Sequence, residues 1–212
     1  DADGTVWRPA EADVSIRPGW FYHPHEEPKS LQQLLEIYDC SVGRGSCLLL
    51  NLPPDRRGLI PEEDVARLRE FRQALDARYA HDVAFGKPAS ADNVRGNAAA
   101  FAAAHLTDGN PETYWAADND IRQAEVIVDF SDTPAVVHAV RVEEYLPLGQ
   151  RIERYAVDID LWGQWLEMAV GTTIGPRRIV HFPRVHARRA RLRILQSQAC
   201  PVLGRFSVYG EQ

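Results

Sequence analysis

The stretch that decides the fold runs from Trp7 to His23, WRPAEADVSIRPGWFYH. At its centre, Val14-Ser15-Ile16 is a short β-branched run that reads as a strand. Pro18 and Gly19 end that strand at once. Trp20, Phe21, Tyr22 and His23 follow in a loop, with Glu11 upstream and Arg17 at the strand's end. The strand thus delivers flat aromatic faces and a few charged groups to its C-terminal end, the end that carries the active site in a β/α barrel. Such a set suits a ligand with apolar C–H faces and a rim of hydroxyls. Core packing is the competing use of an aromatic cluster, and the residues alone leave the two open.

Downstream, Ser30 with Gln33 three residues later reads as a capping box. Leu31, Leu34, Leu35 and Tyr38 fall at helical spacing, and Gly43 suits a left-handed cap near Val42-Gly43. Cys47–Leu52 is a continuous apolar run, expected as a strand covered on both faces, with Cys40 and Cys47 as buried thiols. Asn51 at its end either faces a ligand or ties down a loop. Pro61 and the carboxylates of Glu62, Glu63 and Asp64 open a second helix, whose apolar face is Val65, Leu68, Phe71, Leu75 and Tyr79. The order is strand, helix, strand, helix. A full barrel needs eight such units and about 250 residues, so residues 1–82 read as an incomplete one.

The pattern changes at residues 82–97, which are small and polar. From Val126 onward the segments are short, β-rich and separated by turns: Val126–Phe130, Val136–Glu143, Tyr155–Leu161, Leu166–Gly171, Arg178–Phe182, Arg191–Leu195 and Phe206–Tyr209. Residues 83–212 therefore read as an all-β sandwich. The fold class is α/β followed by all-β.

The 212 residues are 45% hydrophobic and 25% charged, with a net charge of −6. That balance gives no support for nucleic-acid binding, and Arg177-Arg178 and Arg188-Arg189 read as solvated sheet surface. No apolar run approaches the roughly 20 residues of a membrane span. Cys40, Cys47 and Cys200 form no disulfide framework and no metal spacing. There is no phosphate-binding glycine loop and no internal repeat. The N-terminus reads as internal to a longer protein.

Trp7–His23 matches the segment W-x-P-x-E-x-D-V-S-I-R-P-G-W-F-Y/W-H. The chain continues with Pro28-Lys29-Ser30, Ser41-Val42-Gly43-Arg44, Leu48-Leu49-Leu50-Asn51, Pro53-Pro54, Gly58-Leu59-Ile60 and Glu62-Glu63-Asp64. In this order the motifs resemble glycoside hydrolase family 29, the α-L-fucosidases, in the branch acting on 1,3/1,4-linked fucose. The second domain resembles the discoidin-like, galactose-binding fold of carbohydrate-binding module family 32. The residues that carry this likeness are His105–Trp115, HLTDGNPETYW, and Phe206–Glu211, FSVYGE. Leu148–Ile152 and Gly171–Gly175 resemble the C-terminal domain of the same fucosidase branch.

The resemblance makes residues 1–82 the C-terminal part of the (β/α) barrel catalytic domain, and it implies a retaining exo-α-L-fucosidase that uses two carboxylates about 5 Å apart. The family's nucleophile lies in a W-F-D-G-like motif and this branch's acid/base in a G-N-E-like motif. Neither motif occurs in these residues, so both groups are expected upstream and no catalytic residue is assigned. Glu11, Arg17, Trp20, Phe21 and His23 are the expected substrate-binding residues, Arg17 by orienting an active-site carboxylate. For Glu11 a purely structural partnership with Arg17 is the alternative. Asp108, Asn110, Thr113 and Glu211 are the expected ligands of a structural calcium ion; turn hydrogen bonds are the competing use of Asp108 and Thr113. Trp162 and Trp165 frame a turn and offer a stacking platform, although a tryptophan this large is as readily core. Gln150 and Arg151 are expected to reach toward the barrel. The implied partners are a fucosylated oligosaccharide or glycoprotein glycan and the N-terminal part of the same enzyme, with no nucleic acid and no membrane. The implied location is extracellular or periplasmic. The alternative reading is a non-catalytic carbohydrate-binding or structural β-sandwich module.

Overall fold

In this computed structural model the described residues are 6 and 8–211. Trp7, which opens the decisive stretch, lies outside them. The chain divides into two compact units, residues 8–80 and a unit from His81 onward.

In the first unit, β1 (Glu11–Ser15) pairs in parallel with β2 (Cys47–Asn51), Ser15 standing opposite Asn51. Helix α1 (Leu31–Cys40) begins at the expected capping box. Ser30 Oγ accepts from the Gln33 N–H at 3.3 Å, and Gln33 Oε1 accepts from the Ser30 N–H at 2.9 Å. The helix stops before Gly43; a 3₁₀ turn, Val42–Arg44, follows it, and the left-handed residue is Gly45 at φ +84. Helix α2 (Glu62–Arg78) starts after Pro61 with three carboxylates in its first turn. Tyr38 of α1 meets Phe71 of α2 edge-on at 6.2 Å.

Two expectations are corrected here. Cys40 and Cys47 are exposed, not buried. β2 alternates rather than lying covered on both faces, and Leu49 is 53% exposed. Side chains alternate along a strand, so one face of an apolar run is open wherever nothing packs on it.

The second unit is a pair of antiparallel sheets. One has the order β3 (Ala89–Ala91), β5 (Ala124–Asp129), β10 (Arg189–Ser197), β7 (Ile152–Leu161), β8 (Gln164–Gly171); the other β4 (Trp115–Ala116), β11 (Val202–Glu211), β6 (Ala135–Glu144), β9 (Arg178–Ala187). All seven expected strands are present, several of them longer than their apolar cores. β3 and β4 are too short to show an alternating pattern. In β5 the burial alternates strictly, with Ala124, Val126 and Val128 inward. These side chains join Trp115, Phe130, Val140, Leu192, Leu203, Phe206 and Val208 in one core. Gly171 is required by a close approach: a Cβ there would lie 2.4 Å from the ring of buried Tyr155. No helix among the described residues is long and apolar enough to cross a membrane.

Candidate functional site

The aromatic loop occupies residues 17–29 of the first unit, and its neck is pinned by a polar lattice. Ile16 N–H donates to Asn51 O at 3.0 Å, and Lys29 N–H donates to Ile16 O at 2.7 Å. Lys29 Nζ donates to Ser15 O at 2.7 Å and to Arg17 O at 2.9 Å. Asn51 Nδ2 donates to Ser15 Oγ and to Trp20 O, both at 3.1 Å, and Ser15 Oγ donates to Gly19 O at 2.7 Å. Of the two uses open to Asn51, the structure shows the loop tie.

Arg17, expected to orient an active-site carboxylate, is a buried anchor that holds Asp64 and Glu63. Its side chain is 0% exposed. Nε donates to Asp64 Oδ2 at 3.0 Å, Nη2 lies 2.7 Å from Glu63 Oε1 and 2.9 Å from Asp64 Oδ1, and Nη1 donates to Glu26 O. Its guanidinium also sits 5.0 Å from the centre of the Tyr22 ring. A guanidinium taken out of water requires such partners, and none of its nitrogens is left for a sugar. Nor does Glu11 pair with it.

What the lattice presents is Trp20, 52% exposed, and Phe21, 79% exposed. His23 is exposed too, its carbonyl accepting from Glu26 N–H at 3.1 Å. Glu11 opens β1, whereas the loop leaves its other end. Four residues of strand separate Glu11 from Ser15, about 13 Å. Trp20, Phe21 and His23 therefore share one loop, and Glu11 stands apart from its neck.

Three carboxylates near this loop, Asp55, Glu62 and Glu63, are engaged by arginines. Hydrogen bonds from Arg57 hold Asp55 and Glu62 below the ordinary carboxylate range. Glu63 is lowered by its own backbone N–H at the helix start and then by Arg17. A general acid needs the opposite shift. What the loop offers is two exposed aromatic faces on a fixed neck, a shape able to cover the apolar face of a ring. Sequence reasoning missed Lys29 and Asp64 as its supports. Their signal was weak, a lysine just before an N-cap and a carboxylate among three at a helix start.

In the sandwich, Asp108 Oδ1 accepts from Asn110 N–H at 2.8 Å and Oδ2 from Thr113 Oγ1 at 2.7 Å, with His105 Nδ1 at 3.2 Å. Burial pushes the Asp108 carboxyl up, but these donors outweigh it and hold it below its ordinary value. Asn110 Oδ1 accepts from Glu112 N–H at 3.0 Å. Glu211 is paired instead with Arg184, at 2.9 Å. The oxygens expected to hold calcium serve here as acceptors for the turn and for Arg184. Among the described residues no group of three or more His, Cys, Asp or Glu could hold a metal.

Arg151 donates to Leu148 O, at 3.0 and 2.7 Å, and to Cys200 O at 3.0 Å, so its guanidinium is occupied within the sandwich. Glu144, missed in the sequence, accepts from the N–H groups of Arg151, Ile152 and Gly175 at 2.6, 2.9 and 2.7 Å. Burial raises its pKa, and the three donors pull it only partly back. Of the tryptophan pair, Trp162 is 79% exposed. Trp165 lies beneath Arg189 and Arg191, whose guanidiniums are 5.0 and 4.5 Å from its ring. Neither belongs to the core; the core tryptophan is Trp115.

Residues 3–78 match the family model described as Alpha-L-fucosidase. Over 99% of its length the chain is 32% identical to Alpha-L-fucosidase 1 of Arabidopsis thaliana, covering 42% of that protein. The crystal structure of SpGH29 superposes with a TM-score of 0.92 at 41% identity, over 100% of this chain and 46% of that one. A Ruminococcus gnavus GH29 fucosidase solved in complex with fucose gives 0.91 at 30% identity, over 99% of this chain and 43% of that one. The strand pair with its aromatic loop, followed by the sandwich, is thus an arrangement shared with glycoside hydrolases. Within that class, residues 3–78 carry the pattern of the alpha-L-fucosidase family, and the chain is similar to alpha-L-fucosidases over 99% of its length. It spans about two-fifths of the curated relatives it matches.

Proposed function

We propose that this chain is the C-terminal part of a retaining exo-α-L-fucosidase that removes 1,3/1,4-linked fucose from branched glycans. In this reading β1, α1, β2 and α2 are the last two units of a (β/α) barrel, and residues from His81 onward form a discoidin-like sandwich. The parallel pairing of β1 with β2 and the strand–helix order support the first assignment. The carrying observation is the loop after β1, which holds Trp20 and Phe21 exposed on a neck fixed by Lys29, Asn51 and the Arg17–Asp64 pair. Trp20 and Phe21 cover the apolar side of fucose or of the neighbouring ring, and His23 contributes at the rim. The nucleophile and the acid/base come from the part of the enzyme outside these residues, since neither of the family's two catalytic motifs occurs here. Fucose release by the purified chain, with intact mass recorded on the same sample, tests this division of labour. The full-length enzyme releases fucose and the chain alone does not. Release by the chain at a single intact mass overturns it.

A further inference from the structure

The tip of the β7–β8 hairpin is Trp162-Gly163, with φ +57 and +87. A two-residue turn of this hand favours Asn, Asp or Gly at its first position, because glycine enters the left-handed region freely, Asn and Asp tolerate it, and bulkier side chains are strained there. A tryptophan in that place is a local disadvantage to folding. Burial does not offset it, since the indole is 79% exposed. Backbone strain retained without a packing return is a pointer to function.

The indole is nevertheless held in a defined orientation. Its ring stacks on that of His186 at 5.9 Å and 12°. His186 lies on β9, the edge strand of the four-stranded sheet, while the hairpin ends in β8, the edge strand of the other. The pair therefore bridges the two sheets along one open side of the sandwich. Beneath the tip, buried Asp160 accepts from Gly163 N–H at 2.7 Å and is itself held by Arg189 at 2.6 Å. Trp165, the hairpin's other tryptophan, already serves two arginines. Trp162 offers its outer face to solvent.

We propose that Trp162, backed by His186, is a saccharide-stacking site on the sandwich, separate from the aromatic loop of the first unit. A rigid face the size of one indole suits the C–H side of a pyranose. Exposed Gln164 and His186 provide polar groups at its rim. A protein partner would need a broader apolar patch than a single indole among polar neighbours.

The test uses the whole chain, labelled with ¹⁵N. The Trp162 indole N–H signal is assigned by its loss in Trp162→Phe. Methyl β-galactoside, N-acetylglucosamine, methyl α-L-fucoside and cellobiose are titrated in turn. At least one of the four moves the Trp162 signal saturably, and Trp20→Ala leaves that shift intact. Trp162→Asn, which suits the turn, keeps or raises Tm and weakens the sugar at least ~tenfold. No movement of the Trp162 signal with any of the four overturns the proposal. So does a Trp162→Asn chain that binds as the parent does. Should a substitution fail to fold, through-bond assignment of the indole N–H in the parent chain identifies the signal, and the titration of the parent decides the proposal. Neither result touches the fucosidase reading, which rests on the other unit.

Discussion

In residues 8–80 the buried apolar side chains are Ile16, Leu34 and Leu35, and beside them lie buried Ser15, Arg17, Ser41 and Asp64. From His81 onward a continuous apolar core runs from Val83 to Val208. The sandwich stands on area removed from water, spread over many side chains. The smaller unit holds its aromatic loop by charge and hydrogen bonds concentrated on Arg17, Asp64, Lys29 and Asn51. A core tolerates the loss of one member in proportion to its volume, whereas a charge lattice fails when a single partner leaves the other buried and unpaired.

The sharpest break of this contrast is Asp64→Ala. It leaves buried Arg17 with half-exposed Glu63 as its remaining carboxylate partner and costs up to about 3–5 kcal/mol in the first unit. Hydrogen exchange reads it out: the amides of β1 and α1 lose protection while those of β10 and β11 keep theirs. Equal loss in both units would show that the lattice is not local. Next in size is Gly171→Ala, where the added methyl meets the Tyr155 ring and costs about 1–3 kcal/mol by overpacking, read as a fall in the denaturation midpoint. That loss belongs to the sandwich alone.

The smallest effect is at the Asp108 turn. Its folded pKa is depressed, so the native state binds fewer protons than the unfolded chain just below the ordinary carboxylate value. The stability it supplies is full above that value and fades as pH falls through the folded pKa. Between about pH 6 and about pH 3, Asp108→Asn therefore loses less Tm on acidification than the parent. Added calcium leaves both midpoints in place if the turn is held by hydrogen bonds; a calcium-dependent rise would restore the ion-binding reading of Asp108, Asn110, Thr113 and Glu211.

The capping box at Ser30 and the seven longer strands were legible because each depends on local chemistry or on strict alternation. Loop and turn chemistry were readable in outline, as Pro18-Gly19 and Asp108-Gly109 show. The supports were not. Arg17 beside an aromatic run looks like a ligand contact until Asp64, 47 positions on, is seen to bury it. Asn51 had two uses that only the register with Ser15 could separate. Cys47 and Leu49 look like core in an apolar run, and their exposure depends on what packs against β2. The short strands β3 and β4 have too few residues for any periodicity.

The aromatic loop as a sugar-covering surface is the claim most directly open to measurement. Trp20→Ala and Phe21→Ala are placed singly in the full-length enzyme and assayed on a branched fucosylated trisaccharide. Both side chains are exposed in this chain, so neither substitution lowers the chain's own Tm. kcat/KM for Trp20→Ala falls at least ~tenfold, equivalent to about 1.4 kcal/mol of lost transition-state binding. An unchanged kcat/KM in both variants would contradict the account, leaving the loop as a tied surface feature with no part in holding the sugar.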